Sequence, residues 1–99
     1  MAKLYVTEFR NLGAAPEFNP FPLAPPVTDQ TPVAIGVGST QSAAFNAATR
    51  FVRLHADAIC SIAWGADPTA DANNARLAAN QTEYYAVIPG QKVAVITNT

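Results

Sequence analysis

The chain has 99 residues, 49% hydrophobic, 13% charged and 9% aromatic, with a formal net charge of −1. One domain exhausts that length, because compact domains run to roughly 100–150 residues. Lys and Arg number 6 against 7 Asp and Glu, all scattered singly, so the basic footprint of a nucleic-acid partner is missing.

The opening residues carry no secretory signal, because Glu8 and Arg10 interrupt any apolar run. No stretch approaches the ~18 consecutive apolar residues that cross a bilayer, so no membrane partner and synthesis in the cytoplasm are expected. A single cysteine, Cys60, excludes an internal disulfide. Residues 3 to 9 alternate as a short strand, with Leu4, Val6 and Glu8 on one side and Tyr5, Thr7 and Phe9 on the other. From 11 to 30 the composition changes. Pro16, Pro20, Pro22, Pro25 and Pro26 each remove a backbone donor, while Leu12, Phe18, Phe21, Leu23 and Val27 are interleaved with them. This composition predicts an extended Pro-rich arm whose apolar side chains cover a neighbour, and not a flexible polar linker.

Thr31 to Gly38 reads as a strand, with Pro32 at its start or at an edge and a bend at Gly36 and Gly38. Ser39 to Thr49 is alanine-rich enough for a helix, yet its apolar stripe does not extend beyond Ala44, Phe45 and Ala48, and strand plus turn is the reading adopted. Arg50 to Ala56 alternates cleanly, with Val52, Leu54 and Ala56 opposite Phe51, Arg53 and His55. A reversal at Asp57 leads into Ala58 to Trp64, and the two runs together predict a hairpin. A polar loop from Gly65 to Asn74 follows, then strands at Arg76–Leu77, Glu83–Ile88 and Lys92–Thr97. Pro89 and Gly90 supply the central pair of a type II turn, and Asn80-Gln81-Thr82 reads as turn chemistry. The fold class is all-β: one antiparallel β-sandwich or jelly-roll-like domain over residues 1–99, with the Pro-rich arm at 11–30 and the sandwich core at 31–99.

Chemistry-bearing clusters are sparse. Gly36-Val37-Gly38-Ser39-Thr40 lacks the Gly-Lys and the helix of a phosphate loop. The only histidine and the only cysteine, His55 and Cys60, would make a thiolate pair if a hairpin set them side by side, but no orienting residue accompanies them. One His and one Cys are too few for zinc. Asp67, Asp71, Asn73 and Asn74 offer oxygen ligands without the calcium-loop spacing. Trp64, Tyr84 and Tyr85 are candidates for a sugar-stacking platform, against the simpler reading of a core Trp beside one inward and one outward Tyr. No catalytic, cofactor-binding or metal-ligating residue is therefore assigned, and no enzyme is expected.

The C-terminal two thirds carry a resemblance. Thr49-Arg50-Phe51-Val52-Arg53-Leu54-His55-Ala56-Asp57, Ile62-Ala63-Trp64-Gly65-Ala66-Asp67-Pro68-Thr69-Ala70, Arg76-Leu77-Ala78-Ala79-Asn80, Glu83-Tyr84-Tyr85 and Pro89 to Ile96 are similar to small all-β proteins encoded by tailed bacteriophages and prophages, often among virion genes. The resemblance spans residues 31 to 97 and rests on strands and turns, not on an active site. It implies a virion component made in the host bacterial cytoplasm, a capsid decoration or cement protein whose partner is the major capsid protein or another virion protein. The arm lies outside the resemblance. Its chemistry makes Leu12, Phe18, Phe21, Pro22 and Leu23 the expected partner-binding residues, since a proline-stiffened apolar segment loses little freedom on binding. A homo-oligomer is expected, with a trimer suited by analogy to a capsid site. The alternative is a receptor- or glycan-binding module of a head fibre or tail, which requires Trp64 and Tyr84 or Tyr85 to be exposed together.

Overall fold

The computed structural model describes residues 2–11 and 25–98. Among these residues there is no helix. The strands in chain order are β1 (Lys3–Phe9), β2 (Thr28–Asp29), β3 (Val33–Ala34), β4 (Thr40–Gln41), β5 (Phe51–Ala56), β6 (Cys60–Gly65), β7 (Ala75–Leu77), β8 (Gln81–Ala86) and β9 (Lys92–Thr97). They form two antiparallel sheets, the first ordered β2-β1-β5-β8 with β3 beside β2 on the same edge of β1, the second ordered β4-β9-β6-β7. Both sheets turn an apolar face inward. Leu4, Val6, Val52 and Leu54 of the first meet Ile62, Leu77, Val93 and Val95 of the second in one core. Each such side chain contributes about 1.5–3 kcal/mol on leaving water, and the result is a β-sandwich.

Several expectations are met residue by residue. Segment 39–49 contains β4 and a turn closed by the Thr49 N–H on the Asn46 carbonyl at 2.9 Å. Gln91 donates to the Ile88 carbonyl at 3.1 Å across Pro89-Gly90, and Gly90 has a φ of 86°, as a type II turn demands. Asn80 also takes a left-handed turn conformation, with a φ of 60°. The strand expected over residues 31–38 shrinks to Val33–Ala34, because Pro32 has no N–H to give and the chain bends at Val37 and Gly38.

The predicted hairpin of residues 50–56 with 58–64 does not form. β5 pairs with β1 and β8, whereas β6 pairs with β9 and β7, so the short link Asp57–Ile59 carries the chain from one sheet to the other. Both edges of β5 are already taken. Asp57 fixes the crossing by giving its N–H to the Lys3 carbonyl at 3.2 Å and accepting the Lys3 N–H on Oδ1 at 2.7 Å. Strands that face each other across a core alternate just as neighbours in a sheet do, which is why periodicity misassigned the pair.

The sandwich also draws on residues before Thr31. β1 lies between β5 on one side and β2 and β3 on the other. Val27 gives its N–H to the Glu8 carbonyl at 2.7 Å, so the chain rejoins the first sheet where β1 leaves it. The described residues on both sides of the Pro-rich segment therefore belong to the first sheet. Leu12, Phe18, Phe21, Pro22 and Leu23 within it lie outside the described residues.

Candidate interaction surface

The two outer sheet faces differ in what covers them. On the second sheet, the loop of residues 66–74 folds back over the strands. Gln41 Nε2 donates to Asp67 Oδ1 at 2.7 Å and to the Pro68 carbonyl at 2.9 Å, and Ala70 N–H donates to Ser39 Oγ at 2.8 Å. Asn98 Nδ2 donates to Ser61 Oγ at 2.7 Å and to the Ala72 carbonyl at 3.3 Å. Ser61 and Ala94 are buried beneath this strap although their neighbours Ile62, Val93 and Val95 already fill the core. The acids of the loop are occupied as well. Asp71 Oδ1 accepts the Asn73 N–H at 2.8 Å while its own N–H goes to Asn74 Oδ1 at 2.7 Å. Among the described residues no cluster of His, Cys, Asp or Glu is placed to hold a metal ion.

On the first sheet no loop among the described residues lies over the outer face, which is exposed at Tyr5 and Tyr84, half-buried at Arg53 and His55, and buried at Phe9. Register sets three cross-strand rows over β1, β5 and β8: Tyr5, His55 and Thr82; Thr7, Arg53 and Tyr84; Phe9, Phe51 and Ala86. His55 Nδ1 and Thr82 Oγ1 lie 2.8 Å apart, and the Tyr5 and His55 rings are 6.4 Å apart. Phe9 stacks on Phe51 at 5.2 Å with 10° between planes, and the pair closes one end of the face. Tyr84 is 52% exposed and Tyr5 40%. Large rings and hydroxyls with a single guanidinium make a surface suited to protein contact, where aromatic and Arg side chains are enriched.

The thiol and imidazole are kept apart. His55 belongs to this outer face, while Cys60 sits in the core on the other sheet, where burial pushes its thiol up to about 11. A protonated, enclosed thiol is no nucleophile. Of the sugar-platform candidates, Trp64 and Tyr85 come together, each partly buried, while Tyr84 does not join them. Trp64 and Tyr85 tilt together at 5.0 Å and pack against the core, with Phe45 6.2 Å from Trp64, whereas Tyr84 points out of the opposite face. Burial is the main cause that pushes the Tyr85 hydroxyl up to about 12, followed by Glu83, whose Oε1 accepts its hydrogen bond. At Gly36 the backbone carbonyl accepts the Thr97 N–H at 2.9 Å, which makes the glycine segment a strand-edge bend and not a phosphate cradle.

One group that sequence reasoning placed on the side of Leu4 and Val6, without giving it a task, is Glu8. It is 1% exposed and forms the floor of an open groove of about 620 Å³ between Thr28–Ala34 and Thr40–Asn46. Its Oε1 accepts the Asn46 N–H at 2.7 Å and Thr49 Oγ1 at 2.5 Å, and its Oε2 accepts Gln30 Nε2 at 2.7 Å. Gln30 in turn pairs with both backbone groups of Ala43, accepting at 3.0 Å and donating at 3.2 Å. The carboxylate therefore clamps β1 to the chain segments on either side of β4. An acid following two apolar residues at alternate positions, Leu4 and Val6, was the available signal.

No protein-family model, curated protein or solved structure matches this chain.

Proposed function

We propose that the protein is a non-enzymatic structural component of a tailed-phage virion, a decoration or cement protein that adheres to the head shell. The observation that carries this reading is the asymmetry of the sandwich: one outer face is covered by the chain's own loop, while on the other, among the described residues, Tyr5 and Tyr84 stand exposed beside half-buried Arg53 and His55. A rigid body with one adhesive face suits a partner that repeats over a shell. The low charged content, 13%, fits a protein held in an assembly, where charge repulsion in free solution matters little. Connections that step from sheet to sheet favour a jelly-roll-like description of the body. Leu12, Phe18, Phe21, Pro22 and Leu23 supply a second attachment element, and because their segment joins β1 to β2, its binding carries a smaller ordering cost than that of a free tail.

The test uses heads of the encoding phage or prophage, prepared with this gene deleted, and sedimentation of the added full-length chain with them. Deleting everything before Thr31 would remove β1, so the informative variant keeps the length and replaces Phe18, Phe21 and Leu23 by Ser. The wild type is expected to sediment with the particles and the variant to bind at least about tenfold more weakly, the loss of roughly 1.4 kcal/mol or more. Absence of the protein from purified wild-type particles by mass spectrometry would refute the assignment.

A further inference from the structure

We propose that β8 is a self-recognition edge, through which two copies of this chain join into one continuous sheet about a twofold axis. A strand at the edge of a sheet offers a row of free N–H and C=O groups, and proteins guard such edges with shortness, proline, charged side chains on the edge or pointing inward, bulges or a covering segment. The other edges here are guarded. β4 and β7 span only 2 and 3 residues, and the edge formed by β2 and β3 is interrupted by Pro32 and occupied by the Gln30 side chain bridging to Ala43. β8 runs for 6 residues, QTEYYA, with no proline and no lysine; its one acid, Glu83, lies on the inner face and is taken up by the Tyr85 hydroxyl of the same strand, and among the described residues nothing pairs with its far side.

The direction of its backbone groups follows from the ladder. Val87 N–H goes to the Arg50 carbonyl at 3.0 Å and Asn80 N–H to the Ala56 carbonyl at 2.7 Å, so the even-numbered residues of β5 address β8. Since Leu54 opposes Glu83 and Val52 opposes Tyr85, those two residues of β8 bond to β5, and Thr82, Tyr84 and Ala86 turn their N–H and C=O groups to the open side.

An antiparallel copy can use all three in one register. With Tyr84 opposite its twin, Thr82 opposes Ala86 of the second copy, and each pair exchanges both backbone hydrogen bonds. On the inner face the same register sets Glu83 against Tyr85 of the second copy. A shift by one pleat that centred the twofold on Glu83 would oppose two carboxylates and lose bonds, so charge and hydrogen bonding select the same arrangement. Tyr84, the most exposed ring of the outer face, would meet its twin there. Such a contact is isologous and closes at two copies. A strand pair alone buries little area, so the association is expected to be weak and concentration-dependent. It does not rest on the particle reading: a chain that dimerises through β8 without binding heads refutes that reading and leaves this one standing.

Oxidative cross-linking of full-length Tyr84→Cys and Thr82→Cys tests the register, with the native Cys60 shut in the core. Twin residues at 84 would lie about 5.5 Å apart, within disulfide reach, whereas those at 82 would lie about 14 Å apart, four residues along the strand. Covalent dimer is expected to form at least about tenfold faster for Tyr84→Cys. Equal rates, or no dimer from either variant, would overturn the proposal. Should a variant misfold, the wild type decides by amide exchange. Protection of the Thr82, Tyr84 and Ala86 amides is expected to rise between about 10 µM and about 1 mM chain, and protection that ignores concentration would overturn the pairing.

Discussion

Removal of the Glu8 carboxylate should weaken the fold more than its surface-like sequence context implies. In Glu8→Ala, the Asn46 N–H and the Thr49 hydroxyl lose the acceptor they share at 2.7 and 2.5 Å, and Thr49 is wholly buried. The orphaned Thr49 hydroxyl costs about 1–3 kcal/mol, whereas the Asn46 N–H belongs to an exposed residue and loses about 0.5–1.5 kcal/mol. Gln30 stands at the open groove, where water can replace its lost partner, so the expected total is about 1.5–4.5 kcal/mol. A domain of this length is stable by roughly 5–15 kcal/mol, so the change is a large share. Glu8→Gln is the finer probe. Its amide oxygen can still serve Asn46 and Thr49, but its NH₂ then faces Gln30 Nε2. Flipping Gln30 would break both of its bonds to Ala43. One frustrated contact remains, at about 1–2 kcal/mol, and the added Gln30→Ala change should remove most of that penalty in a double-mutant cycle. Urea denaturation measures all four proteins. A Glu8→Ala variant within about 0.5 kcal/mol of wild type would refute the clamp.

Three further outcomes are expected. Because burial raises the Cys60 thiol from 9.0 to about 11, both states hold the proton below pH 9 and only the unfolded chain loses it above. The stability is thus fully present below 9 and drains away toward 11, by up to about 1.4 kcal/mol per pH unit, and urea melts of Cys60→Ala should show a shallower decline; the same thiol should resist alkylation until the protein unfolds. Gly90→Ala should cost about 1 kcal/mol, since the added methyl meets nothing within 4 Å but the φ of 86° disfavours it; an unchanged melting temperature would refute the strain argument. Gln41→Ala removes both bonds that hold the strap at Asp67 and Pro68, and limited proteolysis within residues 66–74 should accelerate several-fold while the global urea midpoint moves little.

What the sequence discloses here is the inward or outward sense of each strand, not its partners. Val52, Leu54 and Ala56 against Arg53 and His55 locate β5 to within one residue, and Lys92–Thr97 is found whole, because alternation is local chemistry. Pairing is not local. The choice between a hairpin and a sheet-to-sheet crossing at Asp57 depends on which strands already occupy the edges of β5, and those are residues 3–9 and 81–86. The same applies to the interaction surface. Tyr5, Arg53, His55 and Tyr84 look unrelated along the chain and become neighbours only through two antiparallel registers. Glu8 was readable as sharing a side with Leu4 and Val6, yet its partners Gln30, Asn46 and Thr49 lie 22 or more positions away and leave no spacing signature.

The order in which strands are laid down bears on how the chain reaches this state. β1, among the first residues, is completed by β5, and β9, among the last, lies between β4 and β6, with Cys60 opposite Thr97. Neither sheet is made of a contiguous stretch. No partial product holding only the first half of the chain can therefore bury its apolar faces in the native way. Closure must wait for the final strand, and long loops must be gathered before any sheet contact rewards them. Folding in the millisecond-to-second range, typical of such non-local β topologies, follows. The outer rows of Tyr5, Arg53, His55 and Tyr84 are therefore assembled only once β1, β5 and β8 have all been brought together.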